Sequence, residues 1–211
     1  PLSDETLKRA LPHNRPSHLE GVRRFVLYPE NVRMPELASV DVKNTSFDLT
    51  GHLVVPEEGA HGVVICQGGS MGGWSLYVDL EGRPTYLYNC FGHHLTTIAG
   101  SDALPVGAVE VGVVFDYDGG GLGKGGDVRL TVAGSTVAAG RVEQTVPFLF
   151  SMSGETLDVG IDTCSPVGPY PHHFAFTGTI DRVEIELRSE LDDEQRRDLE
   201  DGQLRGAISQ Q

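Results

Sequence analysis

Between Gly62 and Tyr117, apolar and polar positions fall into short runs broken by glycine-rich turns: GVVICQ, GGSMGG, WSLYVDL, EGR, PTYLYNC, HHLTTIA, DALPVG, AVEVGVVFDYD. Runs this short build β-hairpins and leave little length for crossover helices. Upstream, Phe47, Leu49, Gly51, Leu53 and Val55 alternate with Ser46, Asp48, Thr50, His52 and Val54. That period of two marks a half-buried strand. The pattern predicts strands at 24–28, 46–55, 62–67, 74–79, 84–90, 94–99, 107–117, 127–132 and 136–142. Short pieces follow near 147–150 and 157–160, with a last strand in 176–187, where Ile180, Val183 and Ile185 sit among charges. Strands this numerous, mostly antiparallel and hairpin-linked, pack as two layered sheets better than as one open sheet.

The ends of the chain read differently. Residues 1–40 are polar and punctuated by Pro1, Pro12, Pro16, Pro29 and Pro35, which suits an extended arm or linker. Within them, Leu2–Leu11 carries a weak short-helix signal, with Ser3 as cap and Asp4 and Glu5 in the first turn. Residues 189–211 hold seven acids and a thin stripe of Leu191, Leu199 and Leu204, the pattern of a short amphipathic helix or an acidic tail. The expected organisation is an arm over 1–40, a β-sandwich over 41–188 and a helix or tail over 189–211.

The length of 211 residues accommodates one domain with a sizeable core. The formal net charge of −14 repels phosphate backbones and anionic lipid, so no nucleic-acid or membrane partner is expected. No apolar run approaches the ~20 residues of a membrane span. Cys66, Cys90 and Cys164 are odd in number and lack any C-x-x-C spacing, which points to reduced thiols and a cytoplasmic location.

Several motifs invite chemistry. Gly121-Leu122-Gly123-Lys124-Gly125-Gly126 fits G-x-G-x-x-G, but a strand follows it where a dinucleotide site requires a helix. Asp116, Asp118 and Asp127 occupy positions 1, 3 and 12 of a calcium-loop register. Gly120 stands where an oxygen ligand is wanted, and Asp replaces the bidentate Glu, so they are weak calcium candidates. His93-His94 and His172-His173 are adjacent pairs, and neighbours on a strand face opposite ways, which leaves too few ligands converging for zinc. No Ser-His-Asp spacing or nucleophile elbow is present, so no catalytic residue is assigned. Trp74, Tyr77, Tyr86, Tyr88 and Phe91 mark two adjacent strands. On an inner sheet face they are core; on an exposed face they can stack on sugar rings or meet a partner. Trp74, Tyr86, Tyr88 and His93 are the candidate ligand or domain-contact residues.

The strings QGGSMGGWSLYV, RPTYLYNCFG, FDYDGGGLGKGGDVRLTVAG, GRVEQTVP and LDVGIDTCSPV, in this order, resemble the C-terminal region of large bacterial arylsulfatases. RFVLYPENVRMPE, VKNTSFDLTGHL and FTGTIDRVEIEL extend the resemblance over about residues 22–188. It implies a concanavalin A-like or laminin G-like jelly roll that packs on a sulfatase catalytic domain and helps wall its substrate cleft. That catalytic domain would carry formylglycine and calcium; no cofactor is expected in this chain. Cys164-Ser165-Pro166-Val167-Gly168 is a near match to the Cys-x-Pro-x-Arg segment of sulfatases, but Gly168 replaces the Arg, so catalytic roles do not carry over. A lectin-like carbohydrate-binding module is the alternative. The acidic balance then favours neutral over sulfated glycans.

Overall fold

A computed structural model describes Leu19 and residues 21–151 and 154–188. The expected helices at 2–11 and 189–211 lie outside the described residues. Among the described residues twelve strands run in order: β1 Arg24–Leu27, β2 Met34–Pro35, β3 Phe47–Val55, β4 Gly62–Gly69, β5 Gly72–Val78, β6 Pro84–Cys90, β7 His94–Ala99, β8 Gly107–Tyr117, β9 Gly126–Val132, β10 Ser135–Val142, β11 Thr156–Val159 and β12 Thr179–Leu187. The only helical element among the described residues is one 3-10 turn, Glu36–Ala38.

The strands form two antiparallel six-stranded sheets. Sheet A has the order β1-β12-β3-β8-β9-β10, and sheet B the order β2-β11-β4-β5-β6-β7. The fold is therefore the expected all-β sandwich of jelly-roll type. Its boundary lies earlier than residue 41. β1 pairs with β12 (Arg24↔Glu186), β2 pairs with β11 (Leu157↔Met34), and Val40 is buried in the core. From Arg24 onward the expected arm is thus part of the sandwich. The expected piece at 147–150 is irregular, because side chains take its backbone groups. The Asn44 amide donates to the Pro147 carbonyl at 2.7 Å, and the Phe150 amide donates to the Glu36 carboxylate at 3.1 Å. Lys43, fully enclosed, pairs with Glu36 at 2.7 Å and sits 4.8 Å above the Phe150 ring.

The main core lies between the sheets. β3 buries Phe47, Leu49, Leu53 and Val55 on alternate positions, and its other positions are mostly half-exposed. Phe47 stacks on Phe115 of β8 at 5.3 Å and meets Trp74 of β5 at 6.3 Å. Trp74 has a polar handle and finds a partner for it, as a buried indole N–H must. Its Nε1 donates to Gln67 Oε1 at 3.1 Å, and Gln67 Nε2 donates to Ser39 Oγ at 2.9 Å and to the Val40 carbonyl at 3.2 Å. Gln67 is itself fully buried. Gly73 pairs Gly68 across the β4–β5 ladder with φ 153°, and a Cβ there would lie 2.2 Å from the Gln67 carbonyl oxygen. Only glycine fits.

Sheet B is covered on its other face as well, so every residue of β4, β5 and β6 is buried. A register shift between Val63 and Ile65 turns Val64 and Ile65 to the main core while Val63 and Cys66 face outward. There the segment 160–178 packs over them, adding Val167, Tyr170 and Phe174 to Val63, Cys66, Tyr77 and Leu87. Tyr170 lies 5.0 Å from Tyr77 and 5.7 Å from Phe174. Backbone bonds tie the segment down: Val63 N to Phe174 O at 2.9 Å, and Gly160 N to Val64 O at 2.9 Å. The outer face of sheet A, by contrast, is wet and charged. Glu184 receives Arg24 at 2.6 Å and Arg182 at 2.7 Å, with His52 at 3.5 Å.

Two outcomes follow from this packing. Gln67→Leu leaves the Trp74 N–H and the Val40 carbonyl buried without partners, and is expected to cost about 2–4 kcal/mol. The urea midpoint followed by tryptophan fluorescence should fall with an unchanged m-value. Second, Arg182 and Arg24 hold the Glu184 carboxyl down to about 2. A depressed folded value contributes stability that is present above the unfolded carboxylate range and is lost as pH falls toward the folded value. Acid unfolding should therefore include a component between about pH 4.5 and 2 that is missing in Glu184→Gln.

Candidate functional site

Trp74, Tyr86 and Tyr88 do not form a ligand face. Trp74 and Tyr86 are 0% exposed and Tyr88 is 5% exposed, all in the core between the sheets. Tyr88 spends its hydroxyl on the Val146 amide at 2.9 Å, and burial pushes both phenols well above their ordinary pKa. The physical reason is the strand period: 74, 76, 86 and 88 share the inner face. His93 is the exception and is exposed, in the turn between β6 and β7.

That turn is one part of a rim at the end of sheet B. The β4–β5 hairpin closes through Ser70-Met71, since Gly69 pairs Gly72. The β6–β7 hairpin closes through Phe91-Gly92-His93, since Cys90 pairs His94. The two tips lie side by side because β5 and β6 are neighbours, with Gly73 opposite Asn89. Asn89 ties them together from below. Its Oδ1 accepts the Gly92 amide at 2.7 Å, and its Nδ2 lies 3.0–3.3 Å from the carbonyls of Gly69, Ser70 and Val167. Asn89 is 2% exposed, so these bonds are made out of water's reach.

This anchor holds Phe91 in an uncommon state. Its φ is 56°, a left-handed conformation that bulky residues avoid. Phe91 is nevertheless 44% exposed; Met71 of the adjoining tip is 62% exposed and Leu95 of β7 54%. Strain of this kind persists only where the surroundings over-determine the backbone, and it gathers at functional positions.

The segment 160–178 supplies the polar half of the rim. Ser165 Oγ donates to Glu155 Oε1 at 2.5 Å, lies 3.1 Å from Ser70 Oγ, and accepts the Ser70 amide at 3.0 Å. Gly69 makes this approach possible: a Cβ there would lie 2.5 Å from Ser165 Oγ. No histidine stands between Ser165 and Glu155, so the pair lacks the imidazole of a Ser-His-acid triad. An exposed aromatic and a thioether beside hydroxyls and a carboxylate can bind, by apolar stacking and hydrogen bonding together. Sequence reading overlooked Asn89. Its signal was Asn three residues before Gly at the end of a strand, a turn pattern with a side-chain acceptor.

The three calcium candidates are held by arginine. Arg141 donates to Asp118 at 2.6 Å and to Asp127 at 3.2 Å, and Asp116 receives Arg129 at 2.8 Å and Arg188 at 2.7 Å. Arg188 and Arg141 hold the Asp116 and Asp118 carboxyls below their ordinary values. The glycine-rich loop after β8 is wound on Tyr117, whose hydroxyl donates to Gly121 O at 2.7 Å and accepts the Lys124 amide at 2.9 Å. A groove of about 520 Å³ on the outer face of sheet A is lined by His52, Val54, Glu110, Ala133, Asp181 and Arg182. Its polar groups meet one another: His52 Nδ1 lies 3.3 Å from Glu110, and Arg182 pairs with Asp181 at 2.5 Å.

No protein-family description and no curated protein matches the chain. Solved structures do. The CBM40 of the Ruminococcus gnavus IT-sialidase is similar at 15% identity, over 84% of this chain and 93% of that one, with a TM-score of 0.52. The same module bound to α2,3-sialyllactose gives 14% identity over the same shares and a TM-score of 0.50. The leech intramolecular trans-sialidase, complexed with 2,7-anhydro-Neu5Ac, is similar at 12% identity over 84% of this chain and 27% of its own length, with a TM-score of 0.50. At these identities the likeness is one of fold: the chain shares the two-sheet sandwich architecture of these structures.

Proposed function

We propose that the chain is a non-catalytic, lectin-like module that binds carbohydrate at the Phe91 rim. The carrying observation is Phe91 itself, an exposed aromatic on left-handed backbone in a turn fixed by buried Asn89, which adjoins the Ser70 tip bonded to Ser165 and, through it, Glu155. A sugar ring presents an apolar face to an aromatic and hydroxyls to polar partners, and this rim offers both kinds of group within one patch. The fold shared with the R. gnavus module supports the reading. That module was solved with an anionic sugar. Here the net charge of −14 and the Glu155 carboxylate favour uncharged glycans.

A second reading has its own observation. The two strings QGGSMGG and LDVGIDTCSPV, which carry part of the arylsulfatase resemblance, meet at this rim through Ser70 and Ser165. On that reading the rim packs against a sulfatase catalytic domain, and formylglycine and calcium belong to that domain. Saturable binding to a separately expressed catalytic domain, with no sugar binding, would favour it.

A glycan array followed by calorimetry decides for or against the module. Phe91→Ala should weaken binding at least about tenfold, a loss of roughly 1.4 kcal/mol. Phe91→Gly should lose binding to the same degree without lowering the unfolding midpoint, since glycine relieves the left-handed backbone. Binding untouched by either change defeats the rim. Turnover of p-nitrophenyl sulfate by this chain alone defeats the non-catalytic reading.

A further inference from the structure

The segment that closes over the outer face of sheet B brings three ligand-type groups together in the interior. Cys66 lies on β4, Asp158 on β11 and Asp162 just after it. The Cys66 sulfur and one oxygen from each carboxylate lie within 4.8 Å of one another. Cys66 is 0% exposed, and both aspartates are 1% exposed. Buried carboxylates need a counter-charge or a full set of donors. The salt bridges of the described residues all lie elsewhere, on Glu36, Asp48, Asp79, Asp116, Asp118 and Glu184 among others.

The donors are incomplete. Asp158 accepts the Thr156 hydroxyl and the Thr163 amide and hydroxyl on Oδ2, and the Arg33 amide alone on Oδ1. A carboxylate oxygen has two lone pairs, so Oδ1 keeps one. Asp162 accepts the Val167 amide at 3.1 Å and the Tyr170 hydroxyl at 2.8 Å, both on Oδ2. Its Oδ1 is buried without a hydrogen-bond partner, although the Cys164 amide comes near the carboxyl. Directly across the ladder from Cys66, the buried Ser75 hydroxyl also lacks a partner in hydrogen-bond geometry, although Tyr170 lies beside it. Unpartnered oxygens from two elements thus adjoin the thiol and the second carboxylate.

We propose that Cys66, Asp158 and Asp162 form a buried site for a divalent cation of the zinc class. A thiolate with two carboxylates suits a borderline-soft ion that accepts four ligands. Calcium would ask for six to eight oxygens and does not favour sulfur. Binding forms a metal–sulfur bond and releases the thiol proton to solvent, so affinity rises with pH. The fourth position falls to the Ser75 hydroxyl or to water. No sequence spacing announces this site, because the three ligands come from two strands of one sheet and the segment folded over them. The ion would fasten that segment to the strands beneath it.

The test uses the full chain, stripped with a chelator and then dialysed against zinc. Elemental analysis should find about one zinc per chain, and the unfolding midpoint should rise with free zinc. Cobalt in its place should give a thiolate charge-transfer band in the near ultraviolet. Cys66→Ala should abolish that band and the zinc uptake. Asp162→Asn, which keeps size and one oxygen to accept the Val167 amide and the Tyr170 hydroxyl, should weaken uptake at least tenfold, while a His93→Ala, His94→Ala double variant should leave it unchanged. Zinc that fails to bind the folded wild-type chain, or that binds equally to folded Cys66→Ala, overturns the proposal.

Discussion

The central strands of sheet B, β4 to β6, are dry on both faces, and the rest of the molecule answers to that constraint. A sheet with one wet face can alternate apolar and polar side chains, as β3 does. β4, β5 and β6 have no wet face, so a polar residue on them is satisfied only by an internal partner. Gln67 is satisfied through Trp74 and Val40, and Asn89 through the turns at its end of the sheet. The same constraint places recognition at an end of the sandwich. With one face of sheet B against sheet A and the other under the segment 160–178, no broad surface of these strands remains for a ligand.

Carboxylates outnumber bases almost two to one in the chain, 30 against 16. The arginines are therefore scarce, and several serve more than one acid. Arg141 reaches Asp118, Asp127 and Glu143; Arg188 reaches Asp48 and Asp116; Arg182 reaches Asp181 and Glu184. These exposed pairs are worth little individually. Their structural effect is to tie β8, β9, β10 and β12 together across sheet A. They also occupy lone pairs on the aspartates that a calcium ion would need.

Much of the architecture was legible because strand period and turn residues are local signals. The alternation of Phe47 to Val55 and the glycine pairs at 68–69 and 72–73 announced their strands and hairpin directly. β2 was illegible: it has two residues, one of them Pro35, and exists only because β11 offers it a partner. The fate of the aromatics was a question of face, which spacing alone does not answer. Trp74, Tyr86 and Tyr88 went inward with the same period that would have served an outward platform. Phe91 escaped because it lies just past the end of β6, where alternation stops. The polar half of the rim was hidden for another reason. Ser70 and Ser165 are ninety-five residues apart and meet only through the fold.

The pairing of Arg24 with Glu186 has an architectural meaning of its own. β1 and β12 run antiparallel, and the Leu187 amide donates to the Arg23 carbonyl at 2.8 Å, so the polypeptide enters and leaves the sandwich at one point. A module threaded this way can be spliced into a surface loop of a host protein without stretching the loop open. Equally, a short bridge from 188 to 23 would close the chain into a ring, and new ends could be opened at an exposed hairpin tip such as Ala133-Gly134.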